Sequence, residues 1–182
     1  MVSCDVNSEA TQPLPLPALY HRPILAMTTG KIVGIYVGKQ KGEGKTEVAS
    51  AELIADYGLR GDRHAGHDQR RQVSLFAKET FDQLLAEGFA AAPNQLSANL
   101  FTEAIKLNAL KPGMRLRVGQ ALLEIVEART PCRNITKIDT RLPKRLYGQC
   151  GQLARILEGG IVQPGDTIEL LQDERQMSLA FA

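Results

Sequence analysis

Met114-Arg115-Leu116-Arg117-Val118-Gly119-Gln120-Ala121-Leu122-Leu123-Glu124-Ile125-Val126-Glu127-Ala128 is the stretch that decides the fold class. Residues 114–118 alternate apolar and charged side chains, the period of a strand with one buried face. Gly119-Gln120 then separates them from a second apolar run, 121–128. A two-residue connection containing glycine between two strand-like runs reads as a β-hairpin. No helical period of 3.6 fits these residues, so the segment argues for antiparallel sheet.

Working outward, further strand-like runs appear on both sides. Residues 31–37 are rich in β-branched side chains, 48–56 carry an apolar segment, and 72–76 and 100–107 read as strands. On the other side lie 153–162, interrupted by Gly159-Gly160, and 167–171 after the turn Pro164-Gly165-Asp166. Gly38 to Lys45 is a basic, glycine-containing turn. Helical spacing is confined to 78–89, where Phe81, Leu84, Leu85 and Phe89 share a face, and to a short stretch at 143–149. Gly88 puts the last turn of the first helix in question. There is no internal repeat and no strand–helix alternation of a doubly wound sheet. The expected fold is therefore mainly β with a few helices (α+β), closed as a barrel or folded sheet.

Composition narrows the function classes. The 182 residues are 43% hydrophobic and 23% charged, as in one ordinary globular domain, with a net charge of +2. That charge gives no global field for a nucleic-acid polymer or a membrane surface. Aromatic residues make up only 5%, without tryptophan, which argues against a base-stacking platform. Cys4, Cys132 and Cys150 are an odd set without a Cys-x-x-Cys pair, unlike a disulfide framework or zinc knuckle; a reducing cytoplasm is the expected setting. Residues 1–26, with Thr11-Gln12-Pro13-Leu14-Pro15-Leu16-Pro17, read as a flexible N-terminal extension, and Met27 offers an alternative start. Residues 27–171 form the expected domain and 172–182 a tail that frays.

Three loops carry candidate chemistry. Arg129-Thr130-Pro131-Cys132-Arg133-Asn134-Ile135 follows the hairpin directly. Cationic neighbours favour the thiolate form of cysteine, which is both a nucleophile and a soft metal ligand. Arginine also suits phosphate, so one loop offers a sulfur and an anion clamp. The plain alternative is a buried core cysteine. The second loop, Gly58-Leu59-Arg60-Gly61-Asp62-Arg63-His64-Ala65-Gly66-His67-Asp68, combines glycines with arginines continued by Arg70 and Arg71. Its Asp62, His64, His67 and Asp68 can also be read as a hard divalent-metal site of a hydrolase, or as turn-forming residues of a solvated loop. The third cluster is 141–145. Convergence of these clusters would make a cationic pocket with one thiol; their separation would leave three solvated surfaces.

Gly61-Asp62-Arg63-His64, Gln72-Val73-Ser74-Leu75, Asn99-Leu100-Phe101-Thr102, the 113–121 hairpin, Arg129-Thr130-Pro131-Cys132, and Arg155-Ile156-Leu157-Glu158-Gly159-Gly160 with Gly165-Asp166 occur in an order that resembles the MOSC domain, named for the C-terminal domain of molybdenum cofactor sulfurases. The resemblance runs from about 31 to 171 and is greatest to the short stand-alone bacterial type. It implies a β-barrel-like fold, a bound molybdenum cofactor of the molybdopterin type, and Cys132 as the molybdenum ligand. It further implies a cytoplasmic oxidoreductase that detoxifies N-hydroxylated or N-oxygenated compounds such as modified nucleobases, drawing electrons from a flavoprotein. The alternative within the family is a non-catalytic carrier or sulfur-transfer and assembly factor for the same cofactor. On this resemblance Arg63, His64, Arg133 and Arg155 are expected around the pterin phosphate and Gln72, Asn99 and Asn134 at the pterin edges; His64 is also the candidate proton donor, with a structural role bonded in its own turn as the alternative. The chain departs from the family pattern at Ala98, where glutamate is common, and at Ala104, where glycine is frequent.

Overall fold

The computed structural model describes residues 29–41 and 43–171. The expected N-terminal extension and C-terminal tail lie outside these residues. In chain order the elements are β1 (Thr29–Val37), β2 (Thr46–Glu47), β3 (Ala51–Ile54), β4 (Gly58–Leu59), β5 (Val73–Ala77), α1 (Lys78–Ala86), β6 (Leu100–Glu103), β7 (Arg115–Val118), β8 (Ala121–Ala128), α2 (Leu142–Arg145), β9 (Gln152–Glu158), β10 (Gly160–Val162) and β11 (Thr167–Leu171). Short 3-10 turns at Pro93–Gln95, Leu107–Ala109 and Arg133–Lys137 lie between them.

Strands pair in the order β11-β7-β8-β9-β5-β6-β1, and β1 pairs back onto β11, which closes a seven-stranded barrel. The hairpin read from the sequence is there, with Val118 opposite Ala121 and Arg115 opposite Glu124. All barrel pairings are antiparallel except β5–β6, whose strands are joined through α1 and the 93–99 segment. A parallel neighbour needs such a crossover, because a hairpin reverses the chain. A smaller sheet, β10-β3-β4, lies apart from the barrel order, and β2 extends the end of β1.

Three strands are buried on both faces, and their alternation splits between two cores. Ile35, Leu75 and Leu100 belong to the larger core, with Leu116, Leu123, Ile156 and Ile168. Their neighbours Tyr36, Phe76 and Phe101 belong to a second core with Leu84, Leu142, Leu146 and Cys150. Phe101 centres an aromatic group there, 5.1 Å from Tyr36 and 5.3 Å from Phe76 between ring centroids. Helix α1 is shorter than the spacing predicts: it stops at Ala86, and Gly88 follows at φ 84°. Leu85, expected on the buried face, is 47% exposed. Among the described residues no helix is long and apolar enough to cross a membrane.

Gly151 ties the second core to the loop that carries Cys132. It holds φ 90°, and a Cβ there would stand 1.9 Å from the Leu75 carbonyl oxygen. Only glycine fits. Its own carbonyl accepts a hydrogen bond from the Arg129 backbone N–H at 2.9 Å, which extends the β8–β9 ladder to the foot of that loop.

Candidate functional site

The β4–β5 loop, the start of β5, the 97–99 segment and the loop after β8 surround a cavity of about 320 Å³. Lys45, Arg63, His64, Arg71, Gln72, Asn99, Arg129, Cys132 and Asn134 are among the side chains that line it. Two of the three basic clusters thus converge on one thiol. The third does not: Arg141 pairs with Asp139 at 2.7 Å and stacks over the Phe89 ring, while Arg145 pairs with Glu87 at 2.6 Å.

The cavity is organised from below by Asp62, whose side chain is only 3% exposed. Its Oδ2 accepts from Lys45 Nζ at 2.6 Å, from Asn99 Nδ2 at 2.8 Å and from the Gly38 N–H at 2.9 Å. Its Oδ1 accepts from the His64 backbone N–H at 3.0 Å and lies 3.0 Å from His64 Nδ1. Burial opposes ionisation of Asp62. The Lys45 ammonium and the N–H groups of Gly38 and His64 outweigh it and hold the carboxyl well below the usual carboxylate range. Burial lowers the Lys45 pKa; Asp62 opposes that, and Arg129 and Arg63 reinforce it. The Asp62 carboxylate only accepts, so the Nδ1 contact is a hydrogen bond when Nδ1 carries the N–H; Nε2 makes no hydrogen bond among the described residues, on a side chain that is 54% exposed.

Asn99 and Gln72 line the cavity but their amides are committed elsewhere. Asn99 Oδ1 accepts from Ser74 Oγ at 2.8 Å, and its Nδ2 also donates to the Tyr36 carbonyl at 3.1 Å. Gln72 Oε1 accepts from the Ile156 N–H and its Nε2 donates to the Gln69 carbonyl, both at 2.8 Å. These two residues brace the walls. Asn134 lines the same cavity on the exposed side.

Arg129 is the cation that the loop composition hinted at. It is 8% exposed, and its Nη2 donates to the Leu96 carbonyl at 2.6 Å. Its Nη1 is buried without a hydrogen-bond partner among the described residues. A buried, unpaired guanidinium nitrogen is costly, so this atom marks a place for an anionic or carbonyl acceptor. Cys132 is half-buried and precedes the Arg133–Lys137 turn, packed against the second core. Cys150 is buried inside that core, where burial pushes its thiol up, and acts as a packing residue.

The structure does not bring Arg133 or Arg155 into the cavity. Arg133 is exposed on the 3-10 turn. Arg155 alternates with the inward Ala154 and Ile156, and its guanidinium binds Asp56 at 2.6 Å. Lys45 was not singled out from its basic turn, nor Arg129 from its loop. No local signal marked Lys45, because the burial of Asp62 that requires a counter-charge is a tertiary fact. In the hard-metal reading of the second loop, Asp62 is already saturated and Asp68 Oδ1 accepts from the Arg70 and Arg71 N–H groups at 2.8 and 3.0 Å. Among the described residues no group of three or more His, Cys, Asp or Glu side chains is arranged to hold a metal ion.

Comparison with known proteins bears on the fold and the family. A family model described as the MOSC domain matches residues 60–169. The YuaD protein from Bacillus subtilis superposes with a TM-score of 0.70 at 23% identity, over 79% of this chain and 96% of that one. YiiM from Escherichia coli gives a TM-score of 0.61 at 21% identity, over 81% and 70%. YiiM from Geobacillus stearothermophilus gives 0.62 at 20%, over 79% and 75%. No curated protein sequence matches the chain.

Proposed function

The chain belongs to the MOSC domain family, and from that premise we propose that the Cys132 cavity holds a molybdenum cofactor of the molybdopterin type and that the protein reduces N-hydroxylated or N-oxygenated compounds. One observation carries the reading: Cys132 shares a cavity with Lys45, Arg63 and Arg129, and Arg129 presents a buried nitrogen that has no partner among the described residues. That donor set fits the group. A thiolate suits molybdenum as a soft ligand, and the guanidinium groups suit a pterin phosphate. Arg63 and Arg129 hold the phosphate end, and Cys132 holds the metal. Asn99 and Gln72 keep the walls in place rather than touching the cofactor.

Cleavage of an N–OH bond to N–H and water consumes two electrons and two protons. The cofactor supplies the two-electron chemistry, which no side chain of this chain provides. A flavoprotein is the proposed source of the electrons. His64 relays the protons from solvent: Asp62 fixes its ring through Nδ1, and Nε2 takes up a proton from water and passes it to the cavity.

The test is metal and pterin analysis of protein purified from a cofactor-producing host, combined with turnover of an N-hydroxylated aminopurine by a flavoprotein reductant. Cys132→Ala is expected to lose molybdenum while Cys150→Ala keeps it. Equal retention in both variants removes Cys132 as the ligand. Bound cofactor without turnover assigns the protein to cofactor carriage instead.

A further inference from the structure

A second, smaller cavity of about 180 Å³ adjoins the first. Glu43, Gln95 and Lys137 line it, and Ser97 and Asn134 line both cavities. These two residues therefore form the seam, and Asn134 lies two positions beyond Cys132 in the chain.

The seam differs chemically from the walls. Asp62, Asn99, Ser74 and Gln72 are saturated with protein hydrogen bonds. Among the described residues no side-chain hydrogen bond is made by Ser97 or Asn134, although both are polar and face cavity space. Ser97 also has φ 57°, in the left-handed region. Its backbone is pinned from the preceding residue: the Leu96 carbonyl accepts from Arg129 Nη2, and the Leu96 N–H donates to the Pro93 carbonyl at 3.2 Å. Serine is held there against its own preference, and such outliers gather at ligand-binding positions.

The lining of the second cavity offers both hydrogen-bonding senses. Gln95 Oε1 is used by the Ala92 N–H at 2.9 Å, which leaves its amide nitrogen as a donor. Lys137 is a cationic donor and Glu43 an acceptor for paired N–H groups. At about 180 Å³ the cavity is smaller than the roughly 300–1,000 Å³ of drug-sized ligand sites, so it admits only a compact group, not an extended lipophilic chain.

We propose that the second cavity is the substrate subsite, in which Ser97 and Asn134 are positioning residues that grip the non-reacting edge of a compact planar compound of nucleobase or amidine type. Its N–O group then enters the Cys132 cavity. The proposal rests on the reductase reading above, but its binding test does not need turnover.

Cofactor-loaded wild-type protein, Asn134→Ala, Ser97→Ala and Ser97→Gly are compared by calorimetric binding of adenine, a non-reducible probe, alongside molybdenum content and steady-state kinetics on the N-hydroxylated aminopurine. Ser97→Gly removes the hydroxyl while accommodating the left-handed backbone, so it separates lost contact from misfolding. Unchanged molybdenum, adenine affinity reduced about tenfold in each variant, and raised KM with kcat nearly preserved support the subsite. Unchanged adenine affinity, loss of molybdenum from the variants, or a wild type that binds no adenine overturns it. If the wild type purifies without molybdenum, the cofactor reading fails separately. Adenine binding by the four proteins then still decides the subsite.

Discussion

On the floor of the Cys132 cavity, Asp62, Lys45, Asn99 and Ser74 are buried and bonded to one another. On its rim, His64 and Asn134 stand exposed and Arg63 half-exposed. Both regions are polar, and each holds an asparagine, Asn99 on the floor and Asn134 on the rim. The floor spends every polar group on the protein, because a buried group without a partner is costly. The rim keeps groups in reserve, because water satisfies them until something binds. Residue type alone thus cannot separate frame from site; the state of each hydrogen bond can.

The sharpest way to break this contrast is Asp62→Ala. It strands the Lys45 ammonium and the Asn99 amide in a buried place, and the expected loss is about 3–5 kcal/mol in urea unfolding. A loss under about 1 kcal/mol would mean that water reaches the floor. Acid probes the same group without mutation. The folded pKa of Asp62 is depressed, so its stabilisation is complete well above the unfolded value of about 4 and is lost as pH falls below that value. Stability of the wild type is expected to decline more steeply below about pH 4 than that of Asp62→Asn. Parallel acid profiles for the two proteins would place the titrating group elsewhere.

Next in size is a matched pair of asparagines. Asn99→Ala leaves Ser74 and the Tyr36 carbonyl without their partner and is expected to cost about 1–3 kcal/mol, whereas Asn134→Ala stays within about 0.5 kcal/mol of wild type. Equal costs would erase the distinction between floor and rim. The smallest effect has the opposite sign. Ser97→Gly accommodates a left-handed residue on the rim and is expected to raise stability by about 0.5–1 kcal/mol, read as a higher urea midpoint. A fall instead would show that the serine hydroxyl holds the turn.

Much of the barrel was legible because its strands are long and periodic. The 114–128 hairpin, the first strand and the last strand stand where alternation and turn residues put them. The two-residue strands β2 and β4 were not legible, since two residues carry no period and are defined only by their partners in β1 and β3. Cys132, His64 and Arg63, singled out from motif and loop chemistry, line one cavity. Arg155 was misplaced although the signal was present: alternation with Ala154 and Ile156 turns it outward. Asn99 and Gln72 were expected at the pterin edges; they line the cavity, but their commitment to Ser74 and Ile156 is a tertiary fact that local sequence does not encode. Lys45 was hidden for the same reason, in a turn whose other lysines, Lys39 and Lys41, are exposed.

The closure of the barrel has its own consequence. Thr29 lies opposite Glu169, so the first and last strands run side by side in opposite directions. The described fold is therefore a ring with a seam, and a seam is a place where the order of the chain can be rewritten. A circular permutant that joins Leu171 to Thr29 through a short linker and opens at the exposed turn beside Gly113 keeps every strand neighbour. It also keeps Asp62, Lys45, Arg129 and Cys132 on one continuous stretch of backbone. The cavity belongs to the ring, and the point at which translation enters the ring is incidental to it.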